Sequence, residues 1–284
     1  MEVVVNKIIP FSSVDGPGNR TAVFLQGCNI NCRYCHNPET RGMCQNCGVC
    51  VDKCPKKALE LKTDSRGIKK VVFKPDLCVA CDTCIHVCPH DSSPRTRLMD
   101  EKQVFEEVKK QMPFIRGITV SGGECMLHPD FLTGLFKLAG EAGLSTMIDS
   151  NGTIDFSKHE NLLRVTDSVM LDIKAFDNEA HKRITDYGNE TVIKNAVYLA
   201  EKGKLFEARV VVVPDLYDAE ESVRAIAGLL APYNEKQSIR IKLISFRPMG
   251  VREEYKHLQV PDAGYMEKLS KILSEQGFLD VVII

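Results

Sequence analysis

The sequence predicts an α/β protein, a parallel sheet wrapped by helices and interrupted once by a small cysteine-rich insert. Three observations predict it. From residue 117 onward an apolar, often β-branched run, a polar or glycine-bearing turn and an amphipathic helix pattern recur in that order. The length of 284 residues suits one large domain or two ordinary ones, and 44% apolar content is enough for a core. Eleven of the twelve cysteines lie between Cys28 and Cys88, with only Cys125 beyond. Alternation of this kind fits a partial barrel or an open doubly wound sheet, and periodicity does not choose between them.

In chain order, the first expected strand is TAVFLQG, residues 21 to 27. After the insert come GITVS (117 to 121), STMID (145 to 149), SVMLDIK (168 to 174), EARVVVVP (207 to 214) and SIRIKLISF (238 to 246), with DVVII as a final short strand. Helices are expected over 100 to 112, 129 to 142, 178 to 186, 190 to 202, 218 to 230 and 261 to 276. The stretch from 41 to 94 is cysteine-rich and short of helical periodicity, so it reads as an insert after the first βα loop. In either architecture the loops beyond the C-terminal ends of parallel strands form the site. The unusual residues fall there: GCNINCRYC after the first strand, then GGEC, DSNG, DIK, VVPD and FRPMG after the next five.

Formal charge is -1 with a pI near 6.7, and the basic residues read as scattered. Nucleic acid and anionic membranes are therefore not expected partners. The N-terminus lacks the pattern of a secretory leader, and no apolar run reaches membrane-spanning length. The expectation is a soluble, cytoplasmic monomer. In reducing cytosol a disulfide framework is out of place, so the cysteines read as metal ligands.

CQNCGVCVDKCP (44 to 55) and CVACDTCIHVCP (78 to 89) each match C-x2-C-x2-C-x3-C-P. This run belongs to two-cluster ferredoxins, where the fourth cysteine of each run ligates the other run's cluster. Cys44, Cys47 and Cys50 then pair with Cys88, and Cys78, Cys81 and Cys84 with Cys54. A pair of structural zinc sites also uses C-x2-C, but the duplicated run with both prolines favours iron-sulfur clusters. With no open coordination position, they point to electron relay rather than catalysis. Cys28, Cys32 and Cys35 differ, because three thiolates can hold three irons of a four-iron cluster and leave the fourth iron open. A zinc site completed by His36 is the alternative, and a ligand adjacent to Cys35 is badly placed to close that tetrahedron.

CNINCRYC has the C-x3-C-x-aromatic-C form of radical S-adenosylmethionine enzymes. More narrowly, VDGPGNR, FLQGC, CHNPET, TVSGGE, DSNG, MLDIK and VVVVP, in this order, resemble the glycyl-radical-enzyme activases of the pyruvate formate-lyase activase type. The insert and the phrase KIIPFSSVDGPG are most similar to the YjjW-type members. The resemblance implies a partial (β/α)6 TIM-like barrel over residues 1–40 and 95–284, with a ferredoxin-like insert over 41–94 holding two [4Fe-4S] clusters.

It further implies that the cluster on Cys28, Cys32 and Cys35, the third [4Fe-4S] group, chelates S-adenosylmethionine. Cofactor contacts are implied for Tyr34, Cys35, His36, Gly122, Gly123, Glu124, Asp149, Ser150, Asp172, Ile173, Lys174 and Arg209. Asp149, Ser150, the Met170 carbonyl and Asp172 match the positions that hold a monovalent cation, Na+ or K+, and hard oxygen ligands suit such an ion. Lys174 lies two residues from Asp172 and shares its strand face. It is expected among the catalytic residues with Asp15, whose motif lies near cofactor or substrate peptide. The implied partners are a glycyl radical enzyme and reduced flavodoxin or ferredoxin. Two departures stand out: Phe246-Arg247 replaces a family Tyr-His pair, with Arg247 a candidate contact to the cofactor carboxylate, and Cys125 replaces a proline and is given no ligand role. The rival readings are a radical enzyme acting on another peptide or a small molecule, and an iron-sulfur electron-transfer or redox-sensing module.

Overall fold

A computed structural model describes residues 1–284. Its strands are β1 (Val3–Ser12), β2 (Arg20–Leu25), β3 (Leu59–Thr63), β4 (Lys69–Phe73), β5 (Arg97–Met99), β6 (Gly117–Gly122), β7 (Ser145–Ser150), β8 (Ser168–Asp172), β9 (Leu205–Val212), β10 (Arg240–Ser245) and β11 (Val281–Ile283). The helices are α1 (Val49–Lys53), α2 (Thr83–His86), α3 (Glu101–Lys109), α4 (Pro129–Glu141), α5 (Glu160–Arg164), α6 (Asn178–Thr185), α7 (Glu190–Glu201), α8 (Ala219–Gln237) and α9 (Ala263–Glu275). None is long and apolar enough to cross a membrane.

All six residues of β2 are buried, as in a central strand covered on both faces. The main sheet runs β11-β10-β9-β8-β7-β6-β2-β1-β5, and from β2 to β11 every pairing is parallel. Beyond β2 each neighbour is the next strand of the barrel repeat, so the order never reverses. With right-handed crossovers such an order puts the helices on one face, which is barrel winding and not the doubly wound pattern with its switch point. The edge strands β5 and β11 do not pair, so the barrel stays open.

Two strands of the main sheet were absent from the expectation. β1 lies antiparallel to β2, with Ile8 opposite Val23, and β5 pairs antiparallel with β1. Register shifts at Val5/Lys7 and Ile9/Ser12 break the alternation of β1, which hides it from a period-two reading. Helix starts follow capping chemistry: Asp100 and Gln103 form a capping box on α3, while Asp177, Asp218 and Asp262 cap α6, α8 and α9. Helix α8 overruns its expected end at 230 and passes through Pro232. Its last turn is held from outside, by Asn234 on the Gly277 carbonyl and Gln237 on the Ala200 carbonyl.

The stretch 41 to 94 does contain regular structure. Short helices α1 and α2 lie within the two cysteine runs, and the β3-β4 hairpin lies between them. Cys50, Leu59, Val71 and Cys84 form a small apolar cluster apart from the main core. The Gly42 N–H donates to the Asp91 carbonyl at 2.8 Å, so the stretch leaves and rejoins the barrel at adjacent points. A Cβ on Gly42 would sit 2.1 Å from the His90 carbonyl oxygen, which leaves room for glycine alone.

Candidate active site

Six strands end in one cavity of about 240 Å3. The loop after β2 supplies Cys28, Cys32, Tyr34, Cys35 and His36, and β6 supplies Ser121, Gly122 and Gly123. Asp149 and Ser150 come from β7, Asp172 and Lys174 from the end of β8, and Arg209 from β9. All three cysteines of the C-x3-C-x2-C run therefore share one chamber with the strand-end polar residues.

The cysteine loop is fixed by the C-terminal end of α6. Asn31 N–H donates to the Thr185 carbonyl at 2.8 Å and Arg33 N–H to the Ile184 carbonyl at 2.9 Å, using acceptors a helix end leaves open. Burial pushes the Cys28 thiol up to about 11 and Cys32 up to about 12, and it raises Cys35 as well. Metal ligation at these sulfurs must therefore release protons. All twelve cysteines are free. No three His, Cys, Asp or Glu side chains converge on one point as a single tetrahedral ion requires. Thiolates bound to separate irons of a cubane need no such convergence. Tyr34, 2% exposed, keeps a hydroxyl without a partner at the wall, as a chamber built around another group would.

Opposite the thiols stands a charged array. Arg209 forks across two carboxylates, its NH2 on Asp149 and its Nε 2.9 Å from Asp172 Oδ1. Ser121 Oγ donates to the other Asp149 oxygen at 2.9 Å, and Lys174 Nζ lies 2.7 Å from Asp172 Oδ2. Burial works to lower the Lys174 pKa, but Asp172, Cys32 and Tyr34 outweigh it and hold the ammonium well above its ordinary range. Burial brings Arg209 down to about 10 against the pull of Asp15, so it stays cationic at neutral pH. Four charged side chains, Arg209, Lys174, Asp149 and Asp172, thus hold one another in place and leave little freedom to reorganise.

Other residues singled out by sequence stand elsewhere. Gly122 and Gly123 line the cavity, yet their absent side chains are required by packing: a Cβ on Gly123 would lie 2.0 Å from the Gly27 carbonyl oxygen, and one on Gly122 would lie 2.2 Å from Leu25 N. Glu124 is buried off the cavity wall and accepts from Asn151 N, Met126 N and Ser150 Oγ at 2.7 to 2.9 Å. Burial pushes it up to about 7 against those donors. It anchors the DSNG turn. Ile173 and Met170 are buried away from the cavity lining. Asp15 lies outside the lining too, its carboxylate accepting from Ser12 Oγ at 2.5 Å. Arg247 is exposed, and its carbonyl accepts from His36 Nε2 at 3.0 Å, which occupies one of the two ring nitrogens. Cys125 is fully buried, its thiol 3.4 Å from the Val120 and Asp149 carbonyls, as a small core residue.

In the insert, Cys44, Cys47, Cys50 and Cys88 line one small cavity, and Cys54, Cys78, Cys81 and Cys84 line another. The fourth cysteine of each run has crossed to the other's chamber.

The chain matches the Radical SAM superfamily over residues 22–226. It belongs to the radical SAM superfamily. Within that superfamily it is closely related to the activating enzymes of glycyl radical enzymes. It is 32% identical to the pyruvate formate-lyase-activating enzyme of Streptococcus mutans, covering 91% of this chain and 82% of that one. It is 29% identical to the (2S)-3-sulfopropanediol dehydratase activating enzyme of Klebsiella oxytoca, over 91% and 86% of the two chains. Among solved structures, SuiB of Streptococcus suis aligns with a TM-score of 0.55 at 11% identity, over 91% of this chain and 47% of that one, and shares the fold.

In this chamber, sequence reasoning missed Ser121, Asn151 and Arg41. Ser121 was quoted only as a strand end, though its place before Gly122-Gly123 at the mouth of β6 was a usable signal. Arg41 lines the cavity from the first residues of the insert, a position that only the folded chain reveals.

Proposed function

We propose that this protein installs a glycyl radical in a partner enzyme. When bound, the iron-sulfur cluster and S-adenosylmethionine supply reductive carbon-sulfur cleavage to a 5'-deoxyadenosyl radical that takes a hydrogen atom from one glycine Cα of the partner. The observation that carries this reading is the shared chamber of Cys28, Cys32 and Cys35 with the Asp149, Asp172, Lys174 and Arg209 array.

In this reading the three thiolates hold three irons, and no fourth protein ligand competes for the open position. Lys174, kept cationic by Asp172, meets a carboxylate of the cofactor, with Tyr34 and His36 walling the same side. Gly122 and Gly123 present backbone and leave room, and Glu124 with Ser150 keeps the DSNG turn in position. Asp15 counters the charge of Arg209 from the loop before β2. A monovalent cation at Asp149, Ser150, Asp172 and the Met170 carbonyl would compete with Arg209 for both carboxylates. The two crossed cysteine sets hold the remaining [4Fe-4S] clusters as a relay, fed by reduced flavodoxin or ferredoxin, and residues 41–94 act as a domain distinct from the barrel. The protein works as a monomer.

The test is an anaerobic EPR spectrum of the reduced, iron-loaded protein with S-adenosylmethionine and the candidate glycyl radical enzyme of the same organism, with 5'-deoxyadenosine assayed in the same tube. A glycine-centred doublet is expected. Deoxyadenosine without the doublet would send the hydrogen abstraction to another acceptor, and neither product would overturn the reading.

A further inference from the structure

The scattered basic charge expected from the sequence does not hold in the insert. Between Lys53 and Lys74 stand eight Lys or Arg residues and two acidic ones, a formal +6 in a chain whose total is -1. The hairpin register sets Lys62 directly opposite Lys70. Like charges at directly opposed positions weaken a hairpin, so folding does not explain the pair. Leu59, Leu61, Val71 and Phe73 pack inward with Cys50 and Cys84, and strand alternation turns Lys62 and Lys70 outward. Acidic relief is slight: Lys74 takes Glu60 at 2.7 Å, and Lys62 reaches that carboxylate only at 3.9 Å. Lys70 makes no ion pair.

A second observation places part of this charge beside a redox position. Lys56 lines the same cavity as Cys54, Cys78, Cys81 and Cys84. Cys81 is exposed, and Leu77 and Val79 beside it are 48% and 57% exposed. With Asp82 at the edge already paired to Arg95 and Lys56 left over, the exposed apolar centre has the form of a docking patch for an acidic protein. The other cysteine set leads inward, since Met43, next to Cys44, packs over Gly27, next to Cys28, with its sulfur 3.7 Å from where a glycine Cβ would stand.

We propose that the insert docks an acidic, low-potential one-electron carrier protein over Val79 and Cys81, beside Lys56, with Lys62 and Lys70 of the hairpin adding to the positive field that draws it in. The proposal rests on the reading of the insert as an electron relay. One electron leaves the carrier, which is oxidised, and arrives at the iron-sulfur group held by Cys54, Cys78, Cys81 and Cys84. No bond or proton is exchanged.

The test is calorimetric titration of the iron-loaded full chain with an acidic flavodoxin at about 20 and about 200 mM salt, a span over which screening of exposed charges changes strongly. Wild type should bind at low salt and weaken steeply at high salt. Lys62→Glu should weaken binding about tenfold or more, with dithionite-driven deoxyadenosine formation unchanged. Because that change puts opposite charges across from Lys70, the unfolding midpoint should hold or rise, and Lys62→Gln/Lys70→Gln should weaken binding without reversing charge. Equal affinity in the variants, or no wild-type binding while dithionite turnover persists, overturns the docking face and leaves the activase reading intact. Binding without dithionite turnover does the reverse. A single-stranded oligonucleotide that displaces flavodoxin and fails on the same variants would make this a nucleic-acid face and overturn the proposal.

Discussion

Arg20 Nε donates to Thr119 Oγ1 at 2.8 Å, and that hydroxyl donates onward to the Asp15 carbonyl. Arg20 is 2% exposed and has no carboxylate partner, only the oxygens of Thr119, Ile118, Ser145 and Pro17. Burial lowers its pKa to about 10, so the charge persists. The loop carrying Asp15 is thereby tied to β6. Thr119→Val keeps the volume but removes an acceptor and a donor, with an expected loss of about 1–3 kcal/mol. Urea unfolding checks it: the midpoint should fall with an unchanged slope.

Iron content separates the three cysteine sets. Cys32→Ser should remove about four irons per chain, one cubane, and abolish deoxyadenosine formation while the insert's visible absorption remains. Cys44→Ser/Cys78→Ser should spare dithionite-driven cleavage but lose cleavage driven by flavodoxin. Full iron in the Cys32 variant would remove the assignment of that site.

Arg209 separates two partly buried carboxylates; its loss leaves Asp149 without a cation and facing Asp172, which Lys174 alone still neutralises. Arg209→Met should destabilise the fold by about 3–5 kcal/mol, as breaking a buried ion pair does. Potassium should restore part of that loss and tetramethylammonium at equal ionic strength should not. Thermal midpoints in the two salts decide it, and identical values would argue against a cation position between those residues.

His181 is fully buried in α6, its Nδ1–H on the Tyr187 carbonyl at 2.7 Å and its Nε2 without a partner. Burial holds its pKa below the ordinary value. Below pH about 6.5 the unfolded chain takes up a proton that the folded chain refuses, so stability falls as pH drops through that value. His36 and His128, also lowered by burial, add the same sign. His181→Gln should make the urea midpoint of the iron-free protein less steep between pH 7.5 and 5.5. An unaltered slope would show that His181 contributes nothing to it.

The parallel strands and the cysteine sets were legible because each rests on local pattern: β-branched runs for the strands, fixed spacing for the thiols. The barrel winding was not, since strand order arises from crossovers that no short window contains. β1 escaped because its bulges break alternation, and the end of α8 because Asn234 and Gln237 find their partners far away in sequence. At the site, the shared face of Asp172 and Lys174 could be read from period two. That Arg209 bridges β7 and β8 could not, because the fork depends on neighbouring strands in register. Glu124 shows the opposite limit: its motif marks it, but only the folded turn reveals that its carboxylate is spent on Asn151 and Ser150.

Gly42 and Asp91 meet at 2.8 Å, the two ends of the insert's path. A segment whose ends are this close can be gained or lost by its host without moving any barrel strand, as a cassette is. Joining the chain from residue 41 to residue 92 would need only a short linker, and the main core and the strand-end chamber would keep their contacts apart from the Arg41–Asp91 pair. If the insert is the proposed electron relay, the electron supply of such an enzyme can evolve on a separate schedule from its radical chemistry, with new carriers accommodated by exchanging the cassette alone.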